Sequence, residues 1–236
     1  WVSRRSEKFN GAIGEPHDFS CPGNPQAGRA KMIKVLCYHQ NLLQVPCHLP
    51  WNVSSLDLSE NRIARGTFTH TSSLKILNLT SNQLRVLSSS MFDGLGNLTI
   101  LLLRKNNIDR IEPSAFAHLM KLKVIDLSSN KLHSLNALDV VFKVKSLEEL
   151  HIRENNITNF TTKDIVNVPM WLRELDASHN PNSFIDVATD ALYRLLSLDL
   201  SFSGTHSHIT WIIQDPCFLK GFNQIRKIVP NDFANL

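Results

Sequence analysis

The stretch LKILNLTSNQL, running from Leu74 to Leu84, sets Leu74, Leu77, Leu79 and Leu84 around one asparagine, Asn82. This spacing matches neither the 3.6-residue period of a helix nor the strict alternation of a strand. The same comb runs through the flanking chain. It fits Val53-Leu56-Leu58-Asn61-Ile63 before it, then Leu98-Leu101-Leu103-Asn106-Ile108 and Leu122-Ile125-Leu127-Asn130-Leu132 after it. Leu147-Leu150-Ile152-Asn155-Ile157 continues the series, and Leu172-Leu175-Ala177-Asn180 is a weaker copy. A seventh, Leu195-Leu198-Leu200, has Ser203 in the asparagine position. Successive asparagines are 21, 24, 24, 25 and 25 residues apart.

A fixed period in the twenties with this comb is the signature of leucine-rich repeats. Each repeat supplies one short strand and one layer of apolar side chains. A single layer cannot bury itself, so neighbouring repeats stack. The expected fold is therefore α/β: a curved, horseshoe-like solenoid with a parallel β-sheet on its concave face. The asparagine stands where the chain turns away from the strand. Its amide can both donate to and accept from backbone groups that would otherwise be buried without partners. Asn61, Asn82, Asn106, Asn130, Asn155 and Asn180 are thus expected to form a hydrogen-bonded ladder. A second column, Phe68, Phe92, Phe116 and Phe142, stands 13 or 14 residues before each following asparagine. Such regular spacing reads as a spine filling the convex side, in preference to an aromatic binding box.

Composition agrees with a folded chain: 42% of the 236 residues are hydrophobic and 19% charged. The net charge of +4 permits an anionic partner without requiring one. There is no run of about 18 apolar residues of the kind that spans a membrane. The opening stretch, WVSRRSEKFNGAIGEPHDFS, lacks the apolar segment of a signal peptide. The expectation is a mature secreted form or a piece of a longer protein.

Four regions follow from the pattern. Residues 1–20 are irregular, 21–52 form a cysteine-containing cap, 53–203 hold about seven repeats, and in 204–236 the comb dissolves into an irregular or degenerate repeat. A solenoid exposes its terminal layer unless something covers it. Cys21 and Cys37 flank an irregular loop suited to a disulfide-stapled cap, which implies an oxidising compartment. Four cysteines allow three pairings. Cys21 with Cys37 is favoured, leaving Cys47 and Cys217 unassigned. The array is expected to continue beyond the last residue.

Five Asn-x-Ser/Thr sequons occur, at Asn52, Asn78, Asn97, Asn156 and Asn159. Asn52 and Asn97 immediately precede strands, on what we term the leading edge. Asn78 falls within a strand and would place a glycan on the concave face near the second repeat. The trailing edge, where the chain leaves each strand, is different. Arg62, Arg65, Arg85, Arg110, Lys131 and His133 follow the ladder asparagines there, interrupted only by Asp109, and no sequon intervenes before Asn156. A basic, glycan-free edge is a candidate surface for a polyanion; solvated loop residues are the alternative. The concave positions mix both signs: Arg104, Lys105, Lys123, Arg153 and Arg173 against Asp57, Asp126, Glu148, Glu149, Glu154 and Asp176. Several of the ten histidines, including His39, His48, His133, His151 and His179, would gain charge near pH 6 and strengthen attraction to phosphate.

No paired-carboxylate, nucleophile–base or phosphate-loop constellation is present, so an enzyme is not expected and neither cofactor nor metal is implied. The pair His206 and His208 has no nearby cysteine or carboxylate to complete a metal site. The LDLS motifs read as exposed strand positions that tolerate polar residues.

The run VLCYHQNLLQVPCHLPWNVSSLDLSENRI, from Val35 to Ile63, resembles the N-terminal cap and first repeat of a Toll-like receptor ectodomain. Repeats of the form LKILNLTSNQLRVLSSSMFDGLGNL are similar to that family, and the general style to its fish-type, nucleic-acid-sensing subgroup. The resemblance implies a receptor of innate immunity that recognises a microbial ligand, double-stranded RNA being favoured, and signals as a ligand-induced homodimer. It implies a single-pass membrane protein with this portion on the extracellular or endosomal lumenal side. In the double-stranded RNA sensor of that family, basic and histidine residues near the cap contact the RNA backbone. Only His39 matches by position; Glu60 replaces the first-repeat histidine. The alternatives are a Toll-like receptor for a protein or lipid, or a secreted leucine-rich repeat matrix or adhesion protein.

Overall fold

The computed structural model describes residues 32–46, 49–68, 71–161, 169–181, 184–188, 195–200 and 208–212. In chain order the strands are β1 (Ile33–Leu36), β2 (Val53–Asp57), β3 (Ile76–Asn78), β4 (Val86–Leu87), β5 (Ile100–Leu102), β6 (Arg110–Ile111) and β7 (Val124–Asp126). After a 3-10 turn at Leu135–Leu138 and the one-turn helix α1 (Asp139–Phe142) come β8 (Glu149–His151), β9 (Asn159–Thr161), β10 (Glu174–Asp176), β11 (Phe184–Ala188), β12 (Ser197–Asp199) and β13 (His208–Ile212).

Eight strands make one sheet in the order β1-β2-β3-β5-β7-β8-β10-β12, and every pairing in it is parallel. The register follows the comb. Leu56 lies beside Leu77, then Leu101, Ile125, Leu150, Leu175 and Leu198. These side chains are all buried, as are Leu58, Leu79, Leu103, Leu127, Ile152 and Ala177 of the adjacent column. Parallel strands this short bury little apolar area singly, so it is the stacking of layers that supplies the hydrophobic stabilisation. On the convex side Phe68, Phe92 and Phe116 stack with centroid separations of 6.2 and 5.9 Å and nearly parallel rings. Phe142, in α1, is likewise buried.

The asparagines join one repeat to the next. Asn106 Oδ1 accepts the Leu84 N–H at 3.1 Å, while its Nδ2 donates to the carbonyls of Leu79 at 2.9 Å and Leu103 at 3.0 Å. Asn82, Asn130, Asn155 and Asn180 repeat the pattern, each taking an N–H from the preceding repeat. The residue just before each ladder asparagine is left-handed: Glu60, Ser81, Lys105, Ser129, Glu154 and His179 all have φ between 54 and 57°. A side chain there costs about 1–2 kcal/mol. That cost is offset because the same residue's N–H reaches the next repeat, as from Lys105 to the Ser128 carbonyl at 3.0 Å and from Ser129 to that of Arg153 at 2.8 Å.

The cap contains a turn that the comb did not reveal. Val35, Cys37, Gln40 and Leu42 stand 21 residues ahead of Leu56, Leu58, Asn61 and Ile63. β1 pairs with β2 in that register, His39 is left-handed, and Asn61 Oδ1 accepts from the N–H groups of both Gln40 and Leu42. The sheet therefore extends into the cap. Cysteine at the leucine position and glutamine at the asparagine position hid this turn. Cys37 is buried and carries a free thiol among the described residues; burial, and then the charge of Asp57, push that thiol's pKa up. Cys21, Cys47 and Cys217 lie outside the described residues, as do 1–20 and, apart from β13, 204–236.

The LDLS motifs have a more definite role than tolerance of polarity. Asp57 Oδ1 accepts from both the N–H and the Oγ–H of Ser59, at 3.0 and 2.6 Å, and Asp176 does the same with Ser178. Each aspartate closes the turn that leads to the ladder asparagine. Asn78 takes that place in β3, accepting the Thr80 N–H at 3.0 Å.

Asn106→Ala leaves the buried Leu84 N–H without its acceptor and the Leu79 carbonyl with the Asn82 amide alone as side-chain donor. It is expected to cost about 3 kcal/mol in urea unfolding. Asn106→Asp, which can accept but not donate, is expected to cost at least as much, whereas Asn107→Ala on the exposed turn changes stability by less than about 0.5 kcal/mol.

Candidate ligand-binding edge

Beyond each ladder asparagine the chain runs along the trailing edge, where a second set of parallel pairings holds successive repeats. β4 pairs with β6, setting Val86 beside Arg110 and Leu87 beside Ile111. Ser134 bridges to Asn159, and β9, β11 and β13 form a three-stranded sheet. Alternation along β6 buries Ile111 and leaves Arg110 exposed.

This register brings Arg85, Arg110 and His133 around Asp109. Arg85 Nε donates to Asp109 Oδ2 at 2.9 Å, and the Asp109 N–H donates to the Arg85 carbonyl at 3.1 Å. The side-chain hydrogen bond from Arg85 is the main reason that the Asp109 carboxyl is held below its ordinary range; the charges of Arg85, Arg110 and His133 add to it. Arg85 is thus half of an ion pair and not a free cation.

The other candidates lie along the same edge without joining that cluster. Arg62 and Lys131 hold equivalent places just after Asn61 and Asn130, with N–H groups donating to Leu42 and Ile108 carbonyls. Arg65 stands further along the first repeat. His39 faces Glu60, Nδ1 to Oε2 at 3.3 Å, so a carboxylate stands opposite its ring. All seven candidate side chains are exposed. Arg62, Arg65, Arg110 and Lys131 form no ion pair among the described residues.

Lys105 belongs with them. The sequence reading counted it among concave residues, but its left-handed backbone between Ser81 and Ser129 sets it at the trailing margin of the sheet, exposed and without an ion pair among the described residues. The signal was present in its place immediately before Asn106. Its neighbour across two repeats, Glu154, is engaged: the hydrogen bond from Ser129 Oγ at 2.7 Å, then that from Arg153, lower its pKa.

The sequons divide by exposure. Asn97 is exposed on the leading edge, its Nδ2 donating to the Ser72 carbonyl and its Oδ1 accepting from Lys121 Nζ at 2.7 Å. Asn156 and Asn159 are exposed on the trailing edge. Asn52, in the turn that leads into β2, is only 4% exposed. Among the described residues no three metal-binding side chains cluster, and no helix is long and apolar enough to cross a membrane.

The lowered Asp109 pKa fixes a pH dependence. A carboxylate whose folded pKa is depressed contributes stability above its unfolded value, near 3.9, and loses it as pH falls through the folded value. The thermal midpoint difference between the wild type and Asp109→Asn is expected to be constant above about pH 5 and to vanish on further acidification. Between pH 7.4 and 5.5 the pair with Arg85 persists.

The leucine rich repeat family matches residues 52–108 and 96–140. Leucine-rich repeat-containing protein 3 of Bos taurus is 36% identical over 97 residues, covering 39% of this chain and 38% of that protein. Among solved structures, Toll of the Drosophila Toll–Spatzle complex is 30% identical, with a TM-score of 0.56 over 67% of this chain and 22% of its own. TLR13, in complex with ssRNA13, is 26% identical, with a TM-score of 0.53 over 72% of this chain and 32% of its own. The mouse RP105/MD-1 complex, 22% identical with a TM-score of 0.62, shares the fold over 74% of this chain and 29% of its own. The chain therefore spans well under half the length of each of these proteins. It is a leucine-rich repeat solenoid whose structural neighbours are Toll-like receptor ectodomains.

Proposed function

We propose that this chain is part of the ligand-binding ectodomain of an innate immune pattern-recognition receptor, placed on the extracellular or lumenal side of a membrane, and that its trailing edge binds microbial nucleic acid. Double-stranded RNA is the favoured ligand, with receptor homodimerisation on binding as the signalling step. One observation carries the reading: Arg62, Arg65, Lys105, Arg110 and Lys131 lie exposed along one margin with no ion pair among the described residues. Phosphate contacts supply sequence-independent affinity through release of condensed counterions. Successive strands lie about 4.8 Å apart, so cations in neighbouring repeats can follow a backbone of repeating phosphates. TLR13 was solved with a single-stranded RNA, which makes nucleic acid a ligand class compatible with this architecture. Arg85, already paired with Asp109, would serve to orient the edge.

A protein ligand is the second reading, favoured by Toll, whose solved complex is with Spatzle.

Binding to double-stranded RNA at pH 5.5 and 7.4, each at 50 and 200 mM salt, separates the two. With about four phosphate contacts, affinity is expected to fall roughly 100-fold across that salt range. Arg62→Glu combined with Arg110→Glu is expected to weaken binding at least about tenfold while leaving the thermal midpoint nearly unchanged. Salt-insensitive binding, or binding that survives the double variant, would overturn the nucleic-acid reading in favour of a protein ligand.

A further inference from the structure

The concave face is not uniformly polar. Ile76, Ile100 and Val124 sit side by side across β3, β5 and β7, and Leu102 lies next to them in β5. Ile76 is 36% exposed and the other three are half-buried, all on the solvent side of a sheet whose opposite side is already filled by Leu77, Leu101 and Ile125. The strip runs about 10 Å across three strands. From β8 onward the equivalent places hold polar residues, Glu149, Glu174 and Ser197 in line with Ile76, and His151 and Asp176 in line with Leu102; on the other flank stand Lys34, Ser55 and Asp57, with Leu36 as a single exposed apolar residue in β1. Contiguous apolar surface across three strands is a place where a covering group gains hydrophobic contact.

The cover is attached to the strip itself. Asn78 opens the sequon Asn78-Leu79-Thr80 and is the one sequon asparagine within a strand of the large sheet. It pairs in register with Leu102. Its side chain is half-exposed and fixed: Oδ1 accepts the Thr80 N–H at 3.0 Å and Nδ2 donates to Asp57 Oδ1 at 3.0 Å. Nδ2 carries two hydrogens. Asp57 accepts from one, so one remains at which a sugar can be attached.

We propose that Asn78 carries an N-glycan whose first sugars lie over Ile76, Ile100 and Leu102, closing the N-terminal half of the concave face to other ligands. The inference rests on the extracellular or lumenal placement above, because that route supplies N-glycans. It gives the trailing edge a further distinction: the glycan on the concave face directs macromolecular ligands to the margin. The sheet offers an acyl chain no cavity behind the strip, since the layer beneath is filled, and the strip lacks the cations that a phosphate backbone needs at its centre.

The test uses the chain secreted from a glycosylating host, as wild type, Thr80→Ala and Thr80→Ser. Thr80→Ala destroys the sequon but keeps the main-chain N–H that holds Asn78; Thr80→Ser keeps the sequon. Glycopeptide mass spectrometry reads occupancy at each sequon, and fluorescence of anilinonaphthalene sulfonate reads exposed apolar surface. The expected result is an occupied Asn78, with a several-fold rise in dye fluorescence for Thr80→Ala and none for Thr80→Ser. Adding Leu102→Ser to Thr80→Ala should bring the signal back towards wild type. Trimming the folded wild type with an endoglycosidase should raise fluorescence without any substitution. Glycans at Asn97 or Asn156 with a bare Asn78 would overturn this inference while sparing the secretory placement. No glycan at any sequon would overturn both. Equal fluorescence for wild type, Thr80→Ala and the trimmed protein would overturn the covering role, and saturation of the strip by a protein ligand in Thr80→Ala and wild type alike would do the same.

Discussion

The constraint on which this molecule depends is that a buried backbone group must have a partner. A solenoid turns its chain sharply after every strand, and each turn carries N–H and carbonyl groups into the interior, where leucine side chains have none to offer. The ladder asparagine answers this with one acceptor and two donors. Asn82 takes the Ile63 N–H and donates to the carbonyls of Leu58 and Leu79, so one side chain ties two repeats. The left-handed residue before it lets the amide reach inward. The same geometry turns the following residues outward, and the trailing edge is made of them. Arg62, Lys105 and Lys131 are exposed because their neighbours Asn61, Asn106 and Asn130 are not.

The stabilising core and the exposed edge are thus coupled through position without competing. Core layers are fixed by leucines and asparagines, and the residues on either side are free to vary. Along the trailing edge that freedom has been used for positive charge, tempered by Asp109, which binds Arg85 and stands close to Arg110 and His133. Within the sheet it has been used for Asp57, Asp126 and Asp176, which close turns, and for the apolar strip beside Asn78. On the proposed reading, electrostatic attraction at the edge would give an extended polyanion a path that crosses repeats, each individual contact being weak and sensitive to salt.

Much of the fold could be read from the sequence because the physics repeats. A comb seen in six copies assigns the strands, the buried columns and the ladder from Asn61 to Asn180 together. Reading stopped where a repeat had exchanged its diagnostic residues: the cap turn, with Cys37 and Gln40, has the geometry but not the letters. Exposure was less legible. Asn52 and Asn97 carry equally good sequons before strands, yet one is buried by its turn and the other is open. The edge was legible as a stripe of charge, but pairing across repeats was not, because Arg85 and Asp109 lie 24 residues apart and meet only through the register of β4 and β6. The apolar strip was missed for a related reason: Ile76, Ile100 and Val124 belong to three different repeats, and in each they look like ordinary strand residues.

The most direct test of the account is hydrogen exchange of the chain with and without double-stranded RNA at pH 5.5 and low salt. If the trailing edge is the ligand surface, protection will fall on segments 60–66, 83–87, 105–111 and 131–134, with the strands of the large sheet unchanged. Protection concentrated on β3, β5 and β7, or none at RNA concentrations that saturate binding, would contradict it.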